Sequence, residues 1–270
     1  MDLCLGFMHS SESNYLRFPI WISGILSPNA TISDLRELVS KINDPKNRLS
    51  KRDKFAALIA SHSNLSDVRF DLFQSIKKLA KKLRIKSPYV HCAGRFLNNT
   101  DELNVKFNND KLSFLRQFKF NICPENCSSH GYVTEKIFHS FISGCIPIYW
   151  GALNDPEPDL INQESIIFYN KQDDIGLENS AKSLKRLNNR GGGGGGKLIK
   201  IKTFYKKHSR NFFEKSKLED IKLRQQISEL MLDKQKYEEF CHILPLQNNA
   251  DEIIYEKLMN LKTKLKELLA

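Results

Sequence analysis

One stretch of the chain gathers side chains suited to holding an anion. Residues 131–136 read Gly-Tyr-Val-Thr-Glu-Lys, after an alternating apolar run, Phe118-Lys-Phe-Asn-Ile122, and a small-residue loop, Cys127-Ser-Ser-His-Gly131. The spacing predicts a strand over the apolar run. It then predicts a helix with Val133, Ile137, Phe138, Phe141 and Ile142 on one face, stopped by Gly144. Tyr132, Thr134, Glu135 and Lys136 fall at the start of that helix. There the unpaired N–H groups and the positive end of the dipole favour negative charge, and Lys136 adds a full cation. A diphosphate suits such a place, with Glu135 accepting hydrogen bonds from sugar hydroxyls. The plainer alternative is an amphipathic helix whose Glu135 and Lys136 are solvated.

Arg69 repeats the arrangement. It follows a second apolar run, Phe55-Ala-Ala-Leu-Ile-Ala60, and a polar loop, and Ser66 can cap the helix that carries it. A cation near a helix start is electrostatically awkward unless an anion binds there, and a guanidinium binds phosphate with two donors. The alternative is a surface arginine paired with Asp67 or Asp71.

The elements that must position these residues alternate in kind. Apolar runs at 55–60, 88–94, 118–123, 145–150 and 165–169 read as strands, with helical periodicity between several of them. That alternation predicts an α/β domain, a Rossmann-like parallel sheet covered by helices, with ligands beyond the carboxyl ends of the strands. The loops 61–66 and 124–132 are then the candidate site. From 180 to 213 no acidic residue occurs, ten basic ones do, and Gly191–Gly196 are six consecutive glycines. This reads as a flexible basic insertion spanning about 174–220. Helical patterns resume over 221–270, and Ile254, Leu258, Leu261, Leu265 and Leu268 form one stripe, expected to pack on the core.

Composition narrows the classes further. The net charge is +11, but ten of those charges belong to the insertion, so the rest of the chain is almost neutral. No nucleic-acid partner is expected from a basic segment with few interleaved aromatics. With 40% hydrophobic and 10% aromatic residues the chain can build a core. No run approaches a membrane span, and the first residues do not resemble a signal peptide. The six cysteines lack zinc spacing and read as free thiols, so a cytoplasmic protein is expected. The basic, amphipathic C-terminal helix allows peripheral contact with an anionic membrane. Asp155-Pro-Glu-Pro-Asp159 falls short of an Asp-x-Asp metal motif and reads as a proline-bounded loop.

The stretch 118–151, with Phe-x-Phe, Glu-Asn, Tyr-Val-Thr-Glu-Lys and Pro-Ile-Tyr-Trp-Gly in order, resembles the signature of the α-1,3-fucosyltransferases of glycosyltransferase family 10, bacterial type. The resemblance implies a GT-B architecture of which this chain carries the C-terminal, nucleotide-sugar-binding half. Residues 1–48 are then the remnant of an N-terminal acceptor domain and its connector, 49–173 the donor-binding domain, and the chain an N-terminally truncated member. It implies inverting transfer of L-fucose from GDP-fucose to an N-acetylglucosamine-containing, N-acetyllactosamine-type glycan. Carried over by position, Arg69 and Lys136 hold the donor diphosphate, Asn126, Tyr132 and Glu135 touch ribose or fucose, and Glu125, Gly131 and Thr134 complete the donor loop. No metal or other cofactor is implied, and the general base is expected in the N-terminal half. Pro124 stands where the family has an aromatic residue, and Cys127 where it has Ser. The competing expectations are a chain that binds GDP-fucose without transferring it, and a nucleic-acid-binding protein acting through the insertion.

Overall fold

Two short strands open the chain: β1 (Cys4–Gly6) and β2 (Tyr15–Arg17) pair in parallel. Three helices follow, α1 (Ile20–Ile25), α2 (Ile32–Asn43) and α3 (Pro45–Leu49). A reciprocal capping box starts α2, in which the Thr31 hydroxyl accepts from the Asp34 N–H and the Asp34 carboxylate accepts from the Thr31 N–H. Asp44 caps α3, with Pro45 at its first position, where a missing N–H costs nothing. The structure is a computed structural model and describes residues 3–8, 10–12, 14–62, 68–170 and 217–269. Ser66, the six-glycine tract and nearly all of the expected insertion lie outside those residues. The insertion's last expected residues, 217–220, are already helical.

Five strands then form one all-parallel sheet: β3 (Lys54–Ile59), β4 (His91–Ala93), β5 (Phe118–Ile122), β6 (Ile146–Tyr149) and β7 (Ile167–Phe168). Their order is β4-β3-β5-β6-β7. The chain leaves β3 through α4 (Val68–Lys82) to reach β4, returns through α5 (Glu102–Val105) and α6 (Lys111–Leu115) to β5, and crosses to β6 through α7 (Glu135–Ser143). This is a doubly wound order, in which the winding direction reverses between β3 and β5. The crevice at the carboxyl ends of those two strands is where such folds bind ligands.

The apolar runs are nearly continuous because the sheet is covered on both sides. On one side Ala56, Leu58, Phe120, Ile122, Ile146 and Ile148 pack with Leu72 and Ile76 of α4, with Leu223 and Ile227 of the helical residues 217–232, and with Phe240 of the helix Lys234–His242. On the other, Cys123 and Tyr149 pack with Ile137, Phe138 and Phe141 of α7, with Trp21 of α1 and with Leu35 of α2. Trp21 stacks on Phe138 with ring centroids 4.4 Å apart. Residues 20–43, part of the segment 1–48 that the resemblance assigns to an acceptor-domain remnant and its connector, pack against α7. The helix Ala250–Leu269 packs on the same side through Ile254 and Leu258, whereas Leu265 and Leu268 stay exposed. Its expected stripe therefore meets the core over its first half.

Arg52 ties the lower edge of the sheet together. Its guanidinium donates to the carbonyls of Arg116 and Phe118 at 2.7 and 3.2 Å, and to those of Asn47 and Ser143 at 2.6 and 2.8 Å. Gly144 ends α7 in the left-handed region, at φ 73°. A Cβ there would collide with the Asn47 carbonyl and the Arg52 guanidinium. Gly144→Ala is therefore expected to cost about 2 kcal/mol or more, through backbone strain and displacement of Arg52. A lower urea midpoint with an unchanged slope would show it.

His91 begins β4, edge-on to Phe118 at 5.1 Å. Burial, reinforced by the nearby Lys54 ammonium, pushes its imidazole down to about 4. In the unfolded chain it titrates near 6.5, so the unfolded state binds the extra proton first as the pH falls. Stability is therefore intact above about pH 6.5 and declines towards pH 4, with close to one proton taken up on unfolding in that window. His91→Asn is expected to flatten that part of the profile in denaturation midpoints measured from pH 7 to pH 4.

Candidate functional site

Each site residue is set by the strand before it and the helix after it. Beyond β5 the backbone stays paired with β6, because Cys123 N–H donates to Ile148 O at 2.9 Å and Glu125 N–H to Trp150 O at 2.8 Å. That pairing holds Glu125 rigidly under the switch-point crevice, and its side chain is 0% exposed. A buried carboxylate is costly unless its lone pairs are filled. Here they are: Thr134 N–H donates to Oε1 at 2.8 Å and Tyr149 OH at 3.4 Å, while Thr134 Oγ1 donates to Oε2 at 2.7 Å and Lys136 Nζ at 3.0 Å. Burial beside this charge pushes the Tyr149 hydroxyl well above its ordinary range, so it stays a donor. Gly151 makes room for the arrangement, since at φ 145° a Cβ would lie 2.6 Å from Glu125 Cγ. Tyr149 and Gly151 of the Pro-Ile-Tyr-Trp-Gly segment thus serve Glu125.

Thr134 is the residue before α7, yet its side chain does not cap the helix. Its hydroxyl is engaged by Glu125 and accepts from Lys136 Nζ at 2.8 Å. Val133 precedes the helix, which begins at Glu135, and is buried in the same cluster as Phe138. This is the staple arrangement that fixes how a chain enters a helix.

Arg69 comes from the facing side, in the first turn of α4 after β3. It is 6% exposed, so the surface-arginine alternative is overturned. Its Nη1 donates to the His62 carbonyl at 2.5 Å and its Nη2 to Asn126 Oδ1 at 2.6 Å. Burial lowers the guanidinium pKa, and the charge of Glu125 opposes that shift. Asn126 is itself exposed and orients this cation across the crevice.

A cavity of about 50 Å³ lies between these elements, lined by Arg69, Lys136, Glu135, Pro124 and Asn121 among others. Lys111 and His139 also line it and were missed from sequence. His139 was legible, since it falls one turn after Glu135 on the helix that carries Lys136. Lys111 belongs to α6 and had no local signal. Arg69, Glu135 and Lys136 are thus brought together at one crevice, with Glu125 beneath Lys136 and Asn126 holding Arg69. Tyr132 and Gly131 sit to the side under the N-terminal ribbon. Tyr132 meets Phe7 edge-on at 5.1 Å, and a Cβ on Gly131, at φ 72°, would strike the Phe7 carbonyl. Arg17 binds that carbonyl at 3.0 Å and grips Glu157 with two donors at 3.1 and 2.5 Å. Glu157 of the Asp-Pro-Glu-Pro-Asp loop is therefore a buried partner of Arg17. Among the described residues no group of three or more His, Cys, Asp or Glu side chains could hold a metal ion.

A doubly wound sheet with Arg69 and Lys136 lining its switch-point crevice is an α/β fold of the kind that holds ligands at the carboxyl ends of its strands. The family model for the C-terminal region of glycosyltransferase family 10 (fucosyltransferase) matches residues 49–190, more than half of the chain. The chain belongs to glycosyltransferase family 10. It is 36% identical over 117 residues to an α-(1,3)-fucosyltransferase of Helicobacter pylori, a match covering 43% of this chain and 21% of that protein. It is 40% identical over 101 residues to α-(1,3)-fucosyltransferase B of Drosophila melanogaster, covering 35% of this chain and 22% of that one. The chain thus matches little more than a fifth of the length of either relative. A crystal structure of an α1,3-fucosyltransferase with GDP-fucose superposes with a TM-score of 0.55 at 22% identity, covering 98% of this chain and 70% of that one. The fold is accordingly the Rossmann-like half of the GT-B architecture. No helix among the described residues is long and apolar enough to cross a membrane.

The cysteines offer a check on this packing. Burial pushes the Cys123 thiol up to about 12 and the Cys145 thiol up to about 11. With a thiol reagent at pH 8 the exposed Cys4 is expected to react first and the part-exposed Cys127 next. The buried Cys92, Cys123, Cys145 and Cys241 should respond only on unfolding. Rapid labelling of Cys123 in the folded protein would contradict this closed β5–α7 junction.

Proposed function

We propose that this chain provides the donor site of a fucosyltransferase that moves L-fucose from GDP-fucose to an N-acetylglucosamine-containing glycan, with inversion at the sugar carbon. The observation that carries the reading is the convergence of Arg69 and Lys136, from two different helices, on the switch-point crevice of a family 10 chain. The superposable enzyme solved with GDP-fucose supports the same donor.

In this reading the donor diphosphate lies across the carboxyl ends of β3 and β5. Breaking the bond between fucose and GDP builds negative charge on the diphosphate. Arg69 and Lys136 meet that charge as it develops, with Lys111 at the rim. They act in place of a metal ion, and no other cofactor takes part. Glu135 lies one residue before Lys136 and accepts hydrogen bonds from sugar hydroxyls. Asn126 keeps Arg69 aimed, and Tyr132 and Gly131 border the sugar-facing side. An inverting displacement also needs a base for the acceptor hydroxyl. In this reading the base belongs to the acceptor half of the GT-B pair.

Titration calorimetry with GDP tests donor binding directly. The folded chain is expected to bind GDP, and no heat at millimolar GDP would refute the reading. Arg69→Lys keeps a positive charge but cannot hold the His62 carbonyl and Asn126 while presenting a fork to phosphate. It is expected to weaken GDP by about tenfold, the scale of one charge-assisted hydrogen bond. Fucose transfer to an N-acetyllactosamine acceptor, measured alongside, separates donor binding from catalysis.

A further inference from the structure

The charge partner of Lys136 is Glu125, a carboxylate wholly out of solvent. A surface lysine waves among many rotamers, and ordering it on ligand binding is costly. Lys136 is not in that state. Its Nζ is bound to Glu125 Oε2 at 3.0 Å and to Thr134 Oγ1 at 2.8 Å. An ammonium has three N–H donors, so these two contacts leave one more. The side chain keeps 23% of its surface exposed and lines the crevice that Arg69 also lines.

We propose that Glu125 is a positioning residue for the nucleotide-sugar site. It accepts one Lys136 N–H itself and fixes the Thr134 hydroxyl that accepts a second, so that the third is presented, already oriented, to a donor phosphate. The inference rests on the donor-site reading above. Glu125 touches neither phosphate nor sugar and acts through Lys136. Its own placement comes from Thr134 N–H, Thr134 Oγ1 and Tyr149 OH, from the Trp150 carbonyl that holds its backbone, and from the absence of a side chain at Gly151. The anchor has an electrostatic cost, because a negative charge lies close to the site of an anion. Orientation outweighs it, since one oriented ammonium contact to a charged oxygen is worth more than a screened repulsion through a saturated carboxylate.

Two effects of opposite sign make the proposal separable from a merely structural role. Removing the carboxylate charge by Glu125→Gln should weaken GDP about tenfold when Lys136 is present, the scale of a lost charge-assisted bond. In a Lys136→Met background the same change should leave GDP affinity unchanged, or slightly tighter, because only the repulsion is then removed. Calorimetric titration of GDP into the wild-type chain, E125Q, K136M and the double variant, with thermal melts of each, reads this cycle. Equal weakening by E125Q in both backgrounds would mean that Glu125 acts on the fold and not through Lys136. So would E125Q affinity equal to or tighter than wild type with Lys136 intact. If E125Q does not fold, Thr134→Val removes the hydroxyl that bridges the same two side chains and keeps the backbone N–H. It is expected to weaken GDP about threefold in the wild-type background and not at all with K136M. A threefold loss in both backgrounds would equally overturn the proposal. Failure of the wild-type chain to bind GDP would instead refute the donor-site reading itself, so the two failures are distinguishable.

Discussion

A negative charge with no access to water sits at the centre of this molecule. The Glu125 carboxylate is tolerable there only because a backbone N–H, two hydroxyls and an ammonium converge on it. Meeting that condition fixes the neighbourhood. Thr134 must face inward and not cap its helix, Lys136 must fold back, Tyr149 must keep its proton, and residue 151 must lack a side chain. Three short segments, Glu125, Thr134–Lys136 and Tyr149–Gly151, are therefore parts of one bonding set. The order of elements in a parallel sheet brings them together, with β5 and β6 paired up to Trp150.

The sheet supplies the second constraint. Because winding reverses between β3 and β5, no crossover covers the gap at their carboxyl ends, and α4 and α7 both begin there. Each helix start brings one cation, Arg69 from one side and Lys136 from the other. Arg52 at the opposite edge, bonded to four carbonyls from three segments, keeps β5 and the end of α7 in register with α3. Site and scaffold are thus joined through α7. Its first residues face the crevice, and its last carbonyl groups meet Arg52 and Asn47.

Much of this was legible in the sequence because the signals are local. The apolar runs before Ala60 and Cys123 are strands, Gly144 is the left-handed stop of α7, and Tyr132 to Lys136 stand where strand and helix meet. Other features depend on partners far away in the chain. Glu157 reads as one acid in a proline-bounded loop, yet it is buried against Arg17, 140 residues earlier. The bond from Arg69 to Asn126 joins residues 57 apart and has no local signal. The C-terminal stripe is continuous in sequence, but the surface it meets ends near Leu258, so Leu265 and Leu268 stay exposed. Nothing in the local sequence of Trp21 and α2 shows that α7 is their packing partner.

By itself the sequence determined the class of fold, the strand-to-helix junctions and the residue types able to hold an anion. Each of these follows from spacing within a dozen residues and from the geometry of a single helix or strand. Only the tertiary structure decided which charges are available and which are already engaged. It showed Arg69 to be a buried, aimed cation and not the surface residue of the alternative reading. It placed Lys111 beside Lys136 and made Glu125 the partner that orients it. Burial and pairing depend on what folds over a side chain from elsewhere in the chain, and no local pattern carries that information.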